Sequence, residues 1–280
     1  MLSRRHLLAL AAAAPFAEAR AFVAPRVVAV GGALTELIYE FGAQGLLVGV
    51  DSTSIYPAVA QKLPNVGYAR TLSAEGLLSL APTLIVATED AGPPAVLRQL
   101  EAARVPLHVL RAEHRFEGLL DRTARLGELL DRKAEARALT DRLNKQWQTT
   151  QQQVQQLRQA RTPRVLFILS HGMNQVRIAG QETAADAVIA YAGGSNAFAG
   201  VSGYKPLTPE AAIAAAPDVI LSTDQGLEAA GGIDGLLKLP GLAQTPAGLK
   251  RRVVAFDAIE LLGFGPRLPQ AVGKLARAIA

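Results

Sequence analysis

Short apolar runs alternate with amphipathic stretches through most of this chain. Residues 27–30, 46–50, 84–87 and 105–110 are nearly continuous apolar runs that read as buried strands. Between them, Gly31-Gly32 turns the chain into a helix that starts at Thr35 and Glu36 and ends near Gly42. A second helix starts at about Ser73, with Ser73 as N-cap, and a third covers 93–103. Residues 51–71 are loop-rich, with Pro57, Pro64 and Gly67. The alternation resumes with strands at 165–169, 176–179, 219–221 and 253–256, and helices at 184–192, from Thr208, and at 269–279. Strands alternating with helices predict an α/β fold with parallel sheets.

Residues 116–160 break this rhythm. They are rich in Leu, Arg, Glu and Gln, hold no Pro, and have only Gly118 and Gly127 as weak points. They predict one long helix, with the polar run 148–156 as its solvated face and Arg161-Thr162-Pro163 as its end.

One segment occurs twice. Residues 72–86 read LSAEGLLSLAPTLIV and residues 207–221 read LTPEAAIAAAPDVIL. Leu72, Glu75, Pro82 and Ile85 recur as Leu207, Glu210, Pro217 and Ile220, at a constant offset of 135 residues. A shared helix start, breaker Pro and strand imply two lobes built on one plan. The expected architecture is two Rossmann-like α/β lobes with parallel sheets, 22–115 and 161–280, joined by one long rigid helix, 116–160. A ligand cleft is expected between the lobes, and a rigid connection implies only a small hinge motion.

Residues 1–21 have the pattern of an export signal. Arg4 and Arg5 form a basic start, 7–14 a short apolar run, and Ala19-Arg20-Ala21 a small-x-small cleavage site. Ser3-Arg4-Arg5 before His6-Leu7-Leu8 also resembles a twin-arginine signal. Without residues 1–21, which carry three arginines and one glutamate, the net charge falls from +5 to +3. No basic stretch with interleaved aromatics is present, so nucleic acid is not an expected partner. Cysteine is absent, which excludes a lipid anchor through Cys, a thiolate metal site and disulfides, leaving core burial to stabilise the fold. A soluble periplasmic protein, working as a monomer, is the expectation.

Catalytic patterns are missing: there is no GxxxxGK[ST], HExxH or GxSxG. His108, His114 and His171 lie far apart without metal-ligand spacing. Asp51, Glu89, Asp90 and Asp224 follow strand ends, where α/β sites lie, but nothing pairs them as acid and base. The loops before the repeated helix are more telling. Val66-Gly67-Tyr68-Ala69-Arg70 and Ser202-Gly203-Tyr204-Lys205 each place a Gly, a Tyr and a cation just upstream. At the 135-residue offset Arg70 falls opposite Lys205, and two cations across a cleft suit a ligand with two or more carboxylates. In an extended loop, Arg70 two residues from Tyr68 points the same way and reaches its oxygen. A cation beside a phenol favours the phenolate, and Tyr is a known axial haem ligand.

The runs Asp51-Ser52-Thr53-Ser54-Ile55-Tyr56-Pro57, Leu63-Pro64-Asn65-Val66-Gly67-Tyr68-Ala69-Arg70 and Leu72-Ser73-Ala74-Glu75-Gly76 resemble the periplasmic haem-binding proteins of bacterial haem ABC transporters. Leu262-Gly263-Phe264-Gly265-Pro266-Arg267 resembles theirs less specifically. The resemblance covers essentially the whole mature chain. It implies ferric haem as transported ligand, Tyr68 on the iron, and Arg70 hydrogen-bonded to the Tyr68 oxygen. It also implies a further contact from His171. Tyr204 and Lys205 enter the site on the repeat alone. Glu75 and Glu210 resemble the one acidic residue per lobe that docks onto arginines of the inner-membrane permease, which works with its ATPase. The resemblance leaves one or two haems per chain open and implies no catalysis. A binder of a ferric siderophore or corrinoid would keep the same fold, and a periplasmic enzyme with a cleft active site is the alternative of another class.

Overall fold

The computed structural model describes residues 25–157, 161–170 and 176–280. The first lobe runs β1 (Val27–Val30), α1 (Gly32–Glu40), β2 (Leu47–Val50), α2 (Ala74–Leu78), β3 (Leu84–Ala87), α3 (Pro94–Ala102) and β4 (Leu107–Val109). Two helices follow, α4 (Phe116–Leu129) and α5 (Lys133–Gln156). The second lobe begins with β5 (Arg164–Ser170), β6 (Val176–Ala179), α6 (Ala184–Tyr191), β7 (Ser195–Asn196), β8 (Tyr204–Pro206) and α7 (Pro209–Ala215). It continues through β9 (Val219–Thr223), α8 (Asp224–Ala229), α9 (Gly232–Leu237), α10 (Pro246–Leu249) and β10 (Val253–Phe256) to α11 (Ala258–Leu262) and α12 (Leu268–Ile279).

Every residue of β1, β3 and β9 is buried, as expected of central strands covered on both faces. The first sheet has the order β2-β1-β3-β4, all parallel. The second has the order β10-β9-β5-β6-β8, with β7 parallel to β5. Its segment β6-β5-β9-β10 repeats the order of the first sheet, and β5, β9 and β10 are parallel. The expectation of parallel sheets fails at β6 and β8, which are antiparallel. Five residues separate β5 from β6, and a parallel crossover needs about a dozen. The chain can only turn back there.

The repeat is visible in the backbone. Ser73 Oγ accepts from the Gly76 N–H (3.3 Å) and Thr208 Oγ1 from the Ala211 N–H (3.2 Å), so each copy starts with the same side-chain cap. Ala81 and Ala216, 135 residues apart, both take left-handed conformations (φ 44° and φ 40°) just before Pro82 and Pro217.

The single long helix expected over 116–160 is two helices that pack against each other. The break falls at Asp131, which takes a left-handed conformation (φ 54°). The Arg132 N–H closes the last turn of α4 onto the Gly127 carbonyl at 2.7 Å, the pattern of a helix stop. Gly127 is required by close approach: a Cβ there would lie 2.4 Å from the Ala136 Cβ on α5. The linking role falls to α5, whose 24 residues span about 36 Å. It packs on α4 and on α12. Trp147 of α5 stacks on Phe116 of α4 (4.5 Å, 7°) and meets the edge of Tyr191 of α6 (4.8 Å, 87°).

Two arginines tie the lobes together. Arg267, at the end of the Leu262–Arg267 run, forks onto Glu36 of α1 (Nε to Oε2 2.9 Å, Nη2 to Oε1 2.6 Å). It also reaches Glu260 (3.3 Å) and Asp257 (3.4 Å) in the second lobe. Arg122 of α4 donates to the Leu110, Gly263 and Phe264 carbonyls (3.0, 3.2 and 3.3 Å) and to Glu89 Oε2 (2.7 Å). One hydrophobic cluster runs from Leu37 and Ile38 of α1 through Leu139 and Leu143 of α5 to Val272 and Leu275 of α12. The lobes therefore share a core instead of hanging on a bare connector.

Candidate functional site between the lobes

The loop that carries Tyr68 is stitched to the end of β2. The Val50 N–H donates to the Pro64 carbonyl, Val66 to Val50 and Ser52 to Gly67, each at 2.9 Å. Asn65 Oδ1 accepts from the Gly67 N–H at 2.7 Å, a side-chain mimic of a turn. Gly67 (φ 93°) and Gly203 (φ 73°) both take the left-handed backbone that suits glycine, and each hands the chain to a Tyr. Val66 and Ala69 are buried while Tyr68 is 41% exposed, so apolar anchors hold the loop and its ring stays at the surface.

Beyond Tyr68 the chain closes into a 3-10 turn, Ala69–Thr71, with the Thr71 N–H on the Tyr68 carbonyl (2.8 Å). This turn replaces the extended run that was expected to aim Arg70 at the Tyr68 oxygen. Arg70 Nε instead donates to Asp90 Oδ2 (3.1 Å), and Thr88 Oγ1 donates to Asp90 Oδ1 (2.7 Å). Burial works against the charged Arg70 guanidinium. The oxygens of Tyr68, Asp90 and Tyr204 outweigh it, and its pKa is raised. Among the described residues Arg70 makes no hydrogen bond to Tyr68, two residues before it in the chain.

Tyr204 sits half-buried on β8, in register with Ala179 of β6. Burial pushes its phenol up; the charges of Arg70 and Arg177 oppose this, and the net direction is up. Arg177 Nη2 also donates to the Tyr204 carbonyl at 3.0 Å. The charge of Arg70, from the first lobe, thus bears on the titration of Tyr204 in the second. Lys205 is exposed and in register with Ile178. Adjacent strand residues point to opposite faces, so Lys205 does not share the Tyr204 face that meets Arg70. The reason is a one-residue difference between the loops: Ala69 separates Tyr68 from Arg70, whereas Lys205 follows Tyr204 directly. In a strand one residue changes the face.

Glu75 and Glu210 are exposed in the first turns of α2 and α7, two residues after their caps. His171 lies outside the described residues. Asp51 is a buried brace: it accepts from the Gly31 N–H (2.8 Å), the Thr53 hydroxyl (2.7 Å) and the Ser54 hydroxyl (3.0 Å). Glu89 belongs to the Arg122 tie. Asp224 heads α8, its carboxyl raised by burial and by the charges of Asp257 and Glu260. The sequence placed Asp90 at a strand end but not its pairing with Arg70, and it gave no sign of Arg177 or His114 as neighbours of the site. His114 (φ 51°) packs on Phe264 (5.5 Å between rings) and lies near Glu89, Asp90 and Arg122. Among the described residues, no three His, Cys, Asp or Glu side chains gather as a metal cage. A groove of about 500 Å³ between α5 and α12, lined by Lys145, Gln153 and Arg277 among others, touches none of the residues around Tyr68.

Two α/β lobes of matching strand order, a fixed junction, and an exposed Tyr beside a braced cation define a two-lobe ligand-binding protein. The chain belongs to the periplasmic binding protein family, whose model matches residues 27–260. It is 46% identical to the periplasmic heme-binding protein BhuT, solved in complex with two hemes; the match covers 91% of this chain and 97% of that one, with a TM-score of 0.86. It is 42% identical to the apo form of the periplasmic heme-binding protein RhuT from Roseiflexus sp. RS-1, over 92% of this chain and 98% of that one, with a TM-score of 0.88. It is also 27% identical over 260 residues to the cobalamin-binding protein of Halobacterium salinarum, covering 90% of this chain and 69% of that protein. The family and these relatives are binding proteins and not enzymes, which removes the cleft-enzyme alternative.

Proposed function

We propose that this chain captures ferric haem between its lobes in the periplasm and delivers it to an inner-membrane ABC importer. The observation that carries this reading is Tyr68, an exposed phenol on an anchored loop with a cation beside it. Haem brings four ring nitrogens of its own, so the protein needs to supply only an axial atom, and a single phenol oxygen suffices. Arg70, Tyr204 and Arg177 are the donors for the haem carboxylates in this reading, Lys205 drops out because its strand position turns it to the other face, and His171 is the further contact from the second lobe. The likeness to two heme-binding proteins supports the choice of ligand. Glu75 and Glu210, at matched helix starts, are the docking pair for the permease. Residues 1–21 direct export, with Arg4 and Arg5 as the twin-arginine pair.

A corrinoid is the second reading, favoured by the likeness to a cobalamin-binding protein. Parallel visible-absorption titrations with ferric haem and with cobalamin separate the two. Saturation by haem at one or two equivalents, with cobalamin inert, is the expected result. Saturation by cobalamin alone would replace haem as the ligand.

A further inference from the structure

The loop that follows β3 carries the turn that holds Tyr68. The Gly92 N–H donates to the Ala69 carbonyl (2.8 Å) and the Leu72 N–H to the Gly92 carbonyl (2.9 Å), so two backbone bonds clamp loop and turn together. Two residues before Gly92 stands Asp90. Thr88 fixes one of its oxygens at 2.7 Å and Arg70 Nε takes the other at 3.1 Å. Thr88 is itself anchored, its N–H on the Val30 carbonyl (3.0 Å) at the end of β1. A continuous line of bonds therefore leads from the first sheet through Thr88 and Asp90 to Arg70. A guanidinium gripped at Nε keeps its two Nη groups for other partners. Among the described residues those groups bond to no protein atom.

An unanchored Arg has several rotatable bonds, and fixing it on a ligand costs side-chain entropy. We infer that Asp90 is the positioning residue of this site: it holds the Arg70 guanidinium beside the Tyr68 oxygen without touching the ligand itself. This rests on the haem reading above. The Asp90 carboxyl stays ionised in that role. Burial pushes it up, but the bonds from Thr88 and Arg70 and the Arg70 charge outweigh burial and hold it below the usual carboxylate value.

The test is a double-mutant cycle on the purified protein, read by ferric haem titration and by the wavelength of the iron–phenolate band. Asp90→Ala and Arg70→Ala are each expected to weaken haem binding about tenfold and to move the band in the same direction. The double variant is expected to be no weaker than Arg70→Ala, because Asp90 acts through Arg70. Thr88→Val, a milder change to the same line, is expected to cost about threefold, and nothing in an Arg70→Ala background. Asp90→Asn keeps an oxygen for Nε and is expected to stay within about twofold of wild type. Additive losses in the double variant, or an Asp90→Ala spectrum and affinity equal to wild type, overturn the inference while the haem reading stands. A wild-type protein that takes up no haem overturns both.

Discussion

His114 is forced into a left-handed backbone conformation, with its ring half-buried against Phe264. Burial lowers the imidazole pKa below its ordinary 6.5; Glu89 and Asp90 pull it up, Arg122 pushes it down, and the net direction is down. The folded state therefore binds this proton less readily than the unfolded chain. Its contribution to stability is present above 6.5 and is lost as the pH falls through the lower folded value. Thermal melts at about pH 7.5 and about pH 5.5 should show a larger loss for the wild type than for His114→Asn, a residue that tolerates the left-handed conformation. Equal losses would remove His114 as the cause. At this scale legibility was uneven. Tyr68 and Arg70 stand out because they share one short motif and a loop that recurs before the second copy of the helix, but the turn that sends Arg70 to Asp90 did not show. Asp90, Arg122 and His114 did not stand out, because each meets its partners from a different loop and no spacing in the chain announces the meeting. The Leu262–Arg267 run was readable as a motif but not in its role: its carbonyls and its Arg tie the lobes together.

Most elements followed directly from the pattern of apolar runs. The repeated helix starts, their Ser73 and Thr208 caps and the strands after Pro82 and Pro217 stand where the sequence put them. The short strands β7 and β8 and the helices α8 to α11 were not read from the sequence, and two larger features also escaped. The antiparallel β6 follows from the short connection after β5, which apolar content alone does not reveal. The break between α4 and α5 escaped because Asp131 takes the left-handed stop that a sequence reader assigns to glycine. Gly127 was visible as a weak point, but it serves as a contact surface for Ala136. Gly127→Leu forces that contact apart and should cost about 1–3 kcal/mol in urea unfolding. Asp131→Gly relieves the backbone and should gain up to about 1 kcal/mol. A Gly127→Leu protein as stable as wild type would mean that α4 and α5 do not depend on this contact.

At the scale of the whole molecule, the shared core and the Arg122 and Arg267 ties hold the lobes at a nearly fixed separation. On the docking reading proposed above, such a fixed separation keeps the exposed carboxylates of Glu75 and Glu210 at a constant spacing for the permease. Reversing both charges, Glu75→Arg with Glu210→Arg, should leave haem binding by the purified protein unchanged and abolish haem uptake by cells. Unaltered uptake would show that docking uses other residues. The two-lobe plan was legible because the repeat survives in sequence; the shared core was not, since it forms between segments more than a hundred residues apart.

Whether the Tyr68 oxygen binds haem iron is read from the visible spectrum of the ferric haem complex of the wild type beside that of Tyr68→Ala. A saturable high-spin ferric spectrum with a phenolate-to-iron charge-transfer band is expected in the wild type, with loss of that band in the variant. The same band in both proteins would mean that another group holds the iron.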